Sequence, residues 1–105
     1  MKANELMIGD WVNKMESDHF VKVRVIGLYN DTIDFSRGII RGTITENGVE
    51  PIKLTREIAE KNGVKAYGKT EKFFIRVMYN KIPIKYVHEL QHVLRLCGIE
   101  KEIEL

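Results

Sequence analysis

The residues with the most evident chemistry are His88-Glu89-Leu90-Gln91-His92, which match the pattern H-E-x-x-H. In zinc peptidases the two histidines lie four apart on one helix face and share the metal, while the glutamate acts as general base on the zinc-bound water. Such a site also needs a third ligand, an open coordination position and a cleft. In this chain His88 and His92 would be ligands, Glu89 the base, and Glu100 the nearest available third ligand.

The helix that must carry the pattern argues against it. At about 100° per residue, with His88 at zero, His92 falls near 40° and the pair is cofacial. Val93, Tyr86, Cys97, Leu90, Leu94 and Val87 fill an arc from about 140° to 260°, centred on Leu90. The histidines are therefore expected to face away from the core, between Lys85 and Arg95, where two cations oppose a divalent metal. No histidine follows His92, and Cys97 falls on the core side. The favoured reading is a solvated helix face, with no resident cofactor; zinc is the alternative.

Other candidates carry less. Cys97, in the apolar stripe, reads as a buried structural thiol rather than a nucleophile. Ser17 and Ser36 have no patterned base, and no glycine-rich phosphate loop is present. Tyr67, Phe73, Phe74, Tyr79 and Tyr86 interleave with Lys65, Lys69, Lys72 and Arg76. That mixture can form a stacking and phosphate-contacting surface for nucleic acid, although aromatics so spaced are more often core. Trp11 reads as core or as a rim anchor.

These residues need a frame. Gly9-Asp10 is a turn signal feeding a strand from Trp11. Alternation of Val21, Val23 and Val25 with Lys22 and Arg24 marks a strand over Phe20–Leu28. Asn30-Asp31 turns into a third strand at Thr32–Phe35, and a fourth runs Ile39–Thr45. Asn47-Gly48 reads as a hairpin turn returning through Val49–Leu54. Five short strands predict a small curled antiparallel sheet or barrel. Thr55 caps a helix over Arg56–Asn62, with Leu54 and Ala59 placed as a hydrophobic staple and Gly63 as its stop. Glu71–Tyr79 is the strongest strand, with Phe73, Ile75, Val77 and Tyr79 on one face, and Val64–Tyr67 is placed to pair with it. Pro83 precedes a helix from Ile84 to Leu96, ended by Gly98. The tail from Ile99 either adds an edge strand or frays.

The bulk properties fit one α+β domain over residues 1–105, with a β part over 1–54 and an α/β part over 55–105 packed on it. Hydrophobic residues are 44% and charged residues 30% of the 105, a globular composition. No apolar run is long enough to span a membrane, and the N-terminus turns polar too early for a signal peptide. One cysteine excludes an internal disulfide, so cytoplasmic residence is the simplest expectation. Residues 51–85 hold nine Lys/Arg against three Asp/Glu. A basic middle can attract an acidic partner, though dispersed charge of this kind is commonly solubilising.

Three phrases carry a resemblance: Asn4-Glu5-Leu6-Met7-Ile8-Gly9-Asp10-Trp11-Val12; Pro51-Ile52-Lys53-Leu54-Thr55 with Lys61-Asn62-Gly63; and Tyr86-Val87-His88-Glu89-Leu90-Gln91-His92. In that order they resemble small uncharacterised proteins of prophages and mobile elements in Bacteroides-type gut bacteria. Ile8-Gly9-Asp10-Trp11-Val12 also resembles the first strand of SH3-like barrels. The resemblance implies no activity, cofactor or site. It does imply that the pentapeptide is incidental, because asparagine often stands at the position of His92 and glutamine at that of Glu89. Met7 and Asp10 depart from the arginine and asparagine usual there. The expectation is a non-catalytic accessory domain with an SH3-like N-terminal sheet, binding a protein or nucleic-acid partner. The alternative is a compact zinc metallopeptidase.

Overall fold

The computed structural model describes residues 1–64, 72–77 and 79–105. The architecture is α+β: a five-stranded antiparallel sheet, then a short helix, a two-stranded sheet and a C-terminal helix. The chain divides into two compact units, Met1–Ile52 and Lys53–Leu105.

In the first unit the strands are β1 (Trp11–Glu16), β2 (His19–Tyr29), β3 (Thr32–Arg37), β4 (Ile40–Thr45) and β5 (Val49–Pro51). They lie in the order β4-β3-β2-β1-β5. Three two-residue loops join the first four, at 17–18, 30–31 and 38–39. The first residue of each has positive φ: Ser17 at 47°, Asn30 at 51° and Gly38 at 61°. That backbone twist matches the strands it joins, which is why such tight hairpins close here. β2 slips register between Val25 and Gly27, so Ile26 is the extra residue of a bulge.

The expected alternation is present in β2, where Val21, Val23 and Val25 are buried and Lys22 is exposed. With Ala3, Leu6, Val12, Ile33, Phe35 and Val49 they form one core. Burying each valine or isoleucine side chain contributes roughly 1.5–3 kcal/mol before chain entropy is offset. The N-terminal segment is fastened at Glu46: Ala3 N–H donates to its carboxylate at 2.9 Å, and the Met1 amine donates to the Glu46 and Val49 carbonyls at 3.3 Å each.

One turn differs from expectation. Glu46–Gly48 is a 3-10 turn, not a hairpin, and β5 pairs with β1 instead of returning along β4. Asn47 is not at positive φ. The Ile44 side chain lies over Gly48 where a β-carbon would stand. Gly48 is thus needed for that close approach, while its own φ is not in the left-handed region.

In the second unit α1 spans Arg56–Lys61, capped by Thr55, whose Oγ1 accepts from Ile58 N–H at 3.2 Å. Leu54 and Ala59 are buried, as a staple requires, and Gly63 takes positive φ at 74°. Strands β6 (Phe73–Val77) and β7 (Asn80–Ile84) form a hairpin, and α2 spans Val87–Leu96. The strand expected to run through Tyr79 ends at Val77, and Tyr79 is exposed in the turn. Pro83 lies inside β7, and the helix begins three residues later than expected. The expected pairing of Val64–Tyr67 falls partly on residues outside those described. The tail forms no strand and is nevertheless anchored. Buried Asn62 donates to the Ile58 and Glu104 carbonyls at 2.7 Å and accepts from Glu104 N–H at 2.8 Å, and Ile103 is buried.

Candidate functional site

The pentapeptide occupies the first half of α2, and its surroundings differ from the expected solvated face. His88 is only 7% exposed, and Gln91 is buried with Val87, Leu90 and Val93. The packed arc is therefore wider than the apolar stripe and displaced from Leu90 toward Gln91 and His88. In the last turn the expected core residue Cys97 is exposed and Leu96 is 87% exposed, so burial is confined to the helix's first two turns. Helical periodicity assigns a face by residue type; it does not register that the neighbours end before the helix does.

The His88 ring stacks on Tyr86 at 5.8 Å between centroids and 12° between planes, and meets His92 edge-on at 5.5 Å. Lys85 Nζ stands 5.6 Å from the Tyr86 centroid. The two imidazoles are adjacent, as the spacing requires. Among the described residues the rest of a zinc site is not assembled with them. Glu89 Oε1 accepts from Tyr86 N–H at 2.8 Å and from Lys85 N–H at 3.0 Å. The carboxylate thus closes the helix N-terminus, satisfying backbone donors that have no partner within the helix. Turning it toward a metal-bound water would cost both bonds. Glu100 is exposed, and among the described residues no three His, Cys, Asp or Glu side chains come together as a metal-holding group.

The second candidate is the basic surface. Lys65 and Lys69 lie outside the described residues; Lys72 and Arg76 are exposed. The β6–β7 register explains what Arg76 is doing. Phe73 pairs with Ile84 and Ile75 with Ile82 on the apolar face, while Phe74 pairs with Pro83 and Arg76 with Lys81 on the other. Alternation along the strands keeps each set on one side. Phe73 and Ile84 are buried; Lys72, Arg76, Lys81, Pro83 and Lys85 are exposed, and Phe74 is half-buried among them. Between Lys72 and Lys85 the chain contains four cations and no Asp or Glu. Lys81 and Lys85 were missed by sequence reading because Pro83 was taken as a helix start. A proline is equally tolerated on a strand edge that needs no N–H, and the alternate spacing 72, 74, 76 and 81, 83, 85 was the available signal.

On the first unit's sheet, Trp11, Arg24, Ser36 and Arg41 form one cross-strand row. The Arg24 guanidinium lies 5.1 Å over the half-buried Trp11 ring, and Arg24 Nε donates to the Gly9 carbonyl at 3.2 Å. Trp11 is thus the rim anchor of the two expected roles. Beside this row a shallow pocket is lined by Ile26, Asp34, Arg41, Gly42 and Thr43. Among the described residues no helix is long and apolar enough to cross a membrane. Comparison with known proteins finds no matching family model, no matching curated relative and no matching solved structure.

Proposed function

We propose that the protein is a non-catalytic, cytoplasmic accessory domain of a phage or mobile element that binds nucleic acid through the basic face of the β6–β7 hairpin. The observation that carries this is the direct cross-strand pairing of Arg76 with Lys81. Like charges set opposite one another destabilise a hairpin. A polyanionic ligand meets on that face two cations that the hairpin register sets side by side. Lys72 and Lys85 extend the cationic strip, and half-buried Phe74 adds an apolar ring beside sugars or bases. A two-stranded ribbon has the dimensions to enter a major groove about 12 Å wide. The strand order β4-β3-β2-β1-β5, with a 3-10 turn before β5, supports an SH3-like reading of the first unit. The mobile-element origin rests on the three phrases of the sequence.

The test is fluorescence anisotropy with a labelled duplex and a labelled single strand, each about 20 nucleotides long, across a salt series. Four phosphate contacts predict a log–log salt slope of about −3 to −4. Replacing Arg76 and Lys81 together by glutamate should weaken binding at least about tenfold and flatten the slope by about 2. Binding that ignores salt, or that survives the double substitution unchanged, refutes the reading.

A further inference from the structure

The first unit presents a surface of its own. β4 is an edge strand of the five-stranded sheet. Its pairing with β3 fixes which backbone groups point outward. The bond from Glu46 N–H to the Asp31 carbonyl at 2.8 Å continues the ladder, and the two-residue loop closes on Arg37 and Ile40. In an antiparallel ladder hydrogen-bonded pairs alternate, so Ile40, Gly42 and Ile44 bond inward to β3. The N–H and C=O groups of Arg41, Thr43 and Thr45 therefore point away from the sheet.

Natural sheets usually blunt such an edge with lysine, proline or a bulge. β4, with the sequence Ile40-Arg41-Gly42-Thr43-Ile44-Thr45, has none of these, and Arg41 is its one charge. All three outward residues have exposed side chains. The two faces of the edge differ. On one, Ile40 is 61% exposed, Ile44 is half-buried, and wholly exposed Ile39 stands at the adjoining loop. On the other stand Arg41 and the pocket it forms with Ile26, Asp34, Gly42 and Thr43, while Arg37, paired with Ile40, lies on the first face. The one carboxylate in that pocket, Asp34, accepts from the Thr43 hydroxyl at 2.7 Å, and among the described residues no ion pair holds Arg41.

We infer that the β4 edge receives an extended segment of a partner protein as a sixth strand, and that this segment alternates acidic and apolar side chains. Main-chain bonds to Arg41, Thr43 and Thr45 supply the attachment, and the alternation supplies selectivity. The apolar side chains cover Ile40 and Ile44; an acidic one stands across from Arg41, where opposite charges on paired strands attract. A second copy of β4 is the poorer occupant, because that strand carries a cation and no acid.

The probe is a capped peptide of about eight residues alternating glutamate and valine, with a lysine–valine counterpart as control. Titration is followed by amide NMR of the full chain. The glutamate peptide should bind saturably and shift the Arg41, Thr43 and Thr45 amides, and the lysine peptide should not. Arg41→Glu should lower affinity at least about tenfold. Thr43→Pro, which removes an outward N–H not used by β3, should do the same. Arg76→Glu should change nothing here, which separates this surface from the nucleic-acid face and lets either reading fail alone. Should Thr43→Pro disturb the sheet, Arg41→Glu carries the test. Absence of saturable binding, equal binding of both peptides, or shifts confined to β6–β7 overturns the inference. So does self-association in sedimentation that Arg41→Glu abolishes, which would make a second copy the occupant.

Discussion

Glu89 shows how one side chain can match a catalytic pattern and hold a structural post. Its Oε1 takes the Lys85 and Tyr86 amides at the start of α2. Replacing Glu89 by alanine should therefore cost about 1 kcal/mol of stability, read by urea denaturation, as for loss of a helix cap. Metal content of untagged protein should be the same before and after. Stoichiometric zinc in the parent, lost on His92→Ala, would show that the cap is not the whole account. The spacing of His88 and His92 was legible in the sequence and is borne out by their ring contact. The burial of His88 was not legible, because a histidine stacked on Tyr86 and a solvated histidine have the same place in a helical repeat.

At the scale of elements, the strands of the first unit were readable because valine alternation and loop residues agreed with one another. Two elements were misread where one residue serves two purposes. Pro83 suits a helix start and a strand edge, and only pairing with Phe74 decides. Gly48 suits a hairpin turn and also a close approach, and only the position of Ile44 decides. β4 carries a comparable close approach at Gly42. A β-carbon there would stand 2.7 Å from Cζ of the buried Phe35 ring. Gly42→Ala should therefore cost about 1–3 kcal/mol through overpacking, seen as a lower urea midpoint. An unchanged midpoint would mean that the Phe35 ring moves aside freely.

At the scale of the whole molecule, the α+β class followed from a change in pattern near Pro51, and the division into Met1–Ile52 and Lys53–Leu105 falls close to it. What joins distant segments was not legible: Asn62 to Glu104, and Ala3 to Glu46, are single side chains among many equivalent ones in sequence. The second of these gives the fold a dependence on acid. The Ala3 N–H above all, then Lys2 and the N-terminal amine, hold the Glu46 carboxyl below its ordinary value against the opposing pull of desolvation. A carboxyl lowered on folding stabilises fully above its unfolded pKa, and that stability is lost as pH falls through the lowered value. The urea midpoints of the parent and Glu46→Gln should thus differ most near neutral pH and converge as the pH falls through the lowered value. A gap independent of pH would remove Glu46 from the account. The bare edge of β4 has a last consequence, one of housekeeping. A strand that welcomes one guest offers the same row of amides to any extended chain in a crowded cell, including unfolded neighbours. If the edge is where a partner docks, the partner is also its lid, and the pair should be made together and stay soluble together.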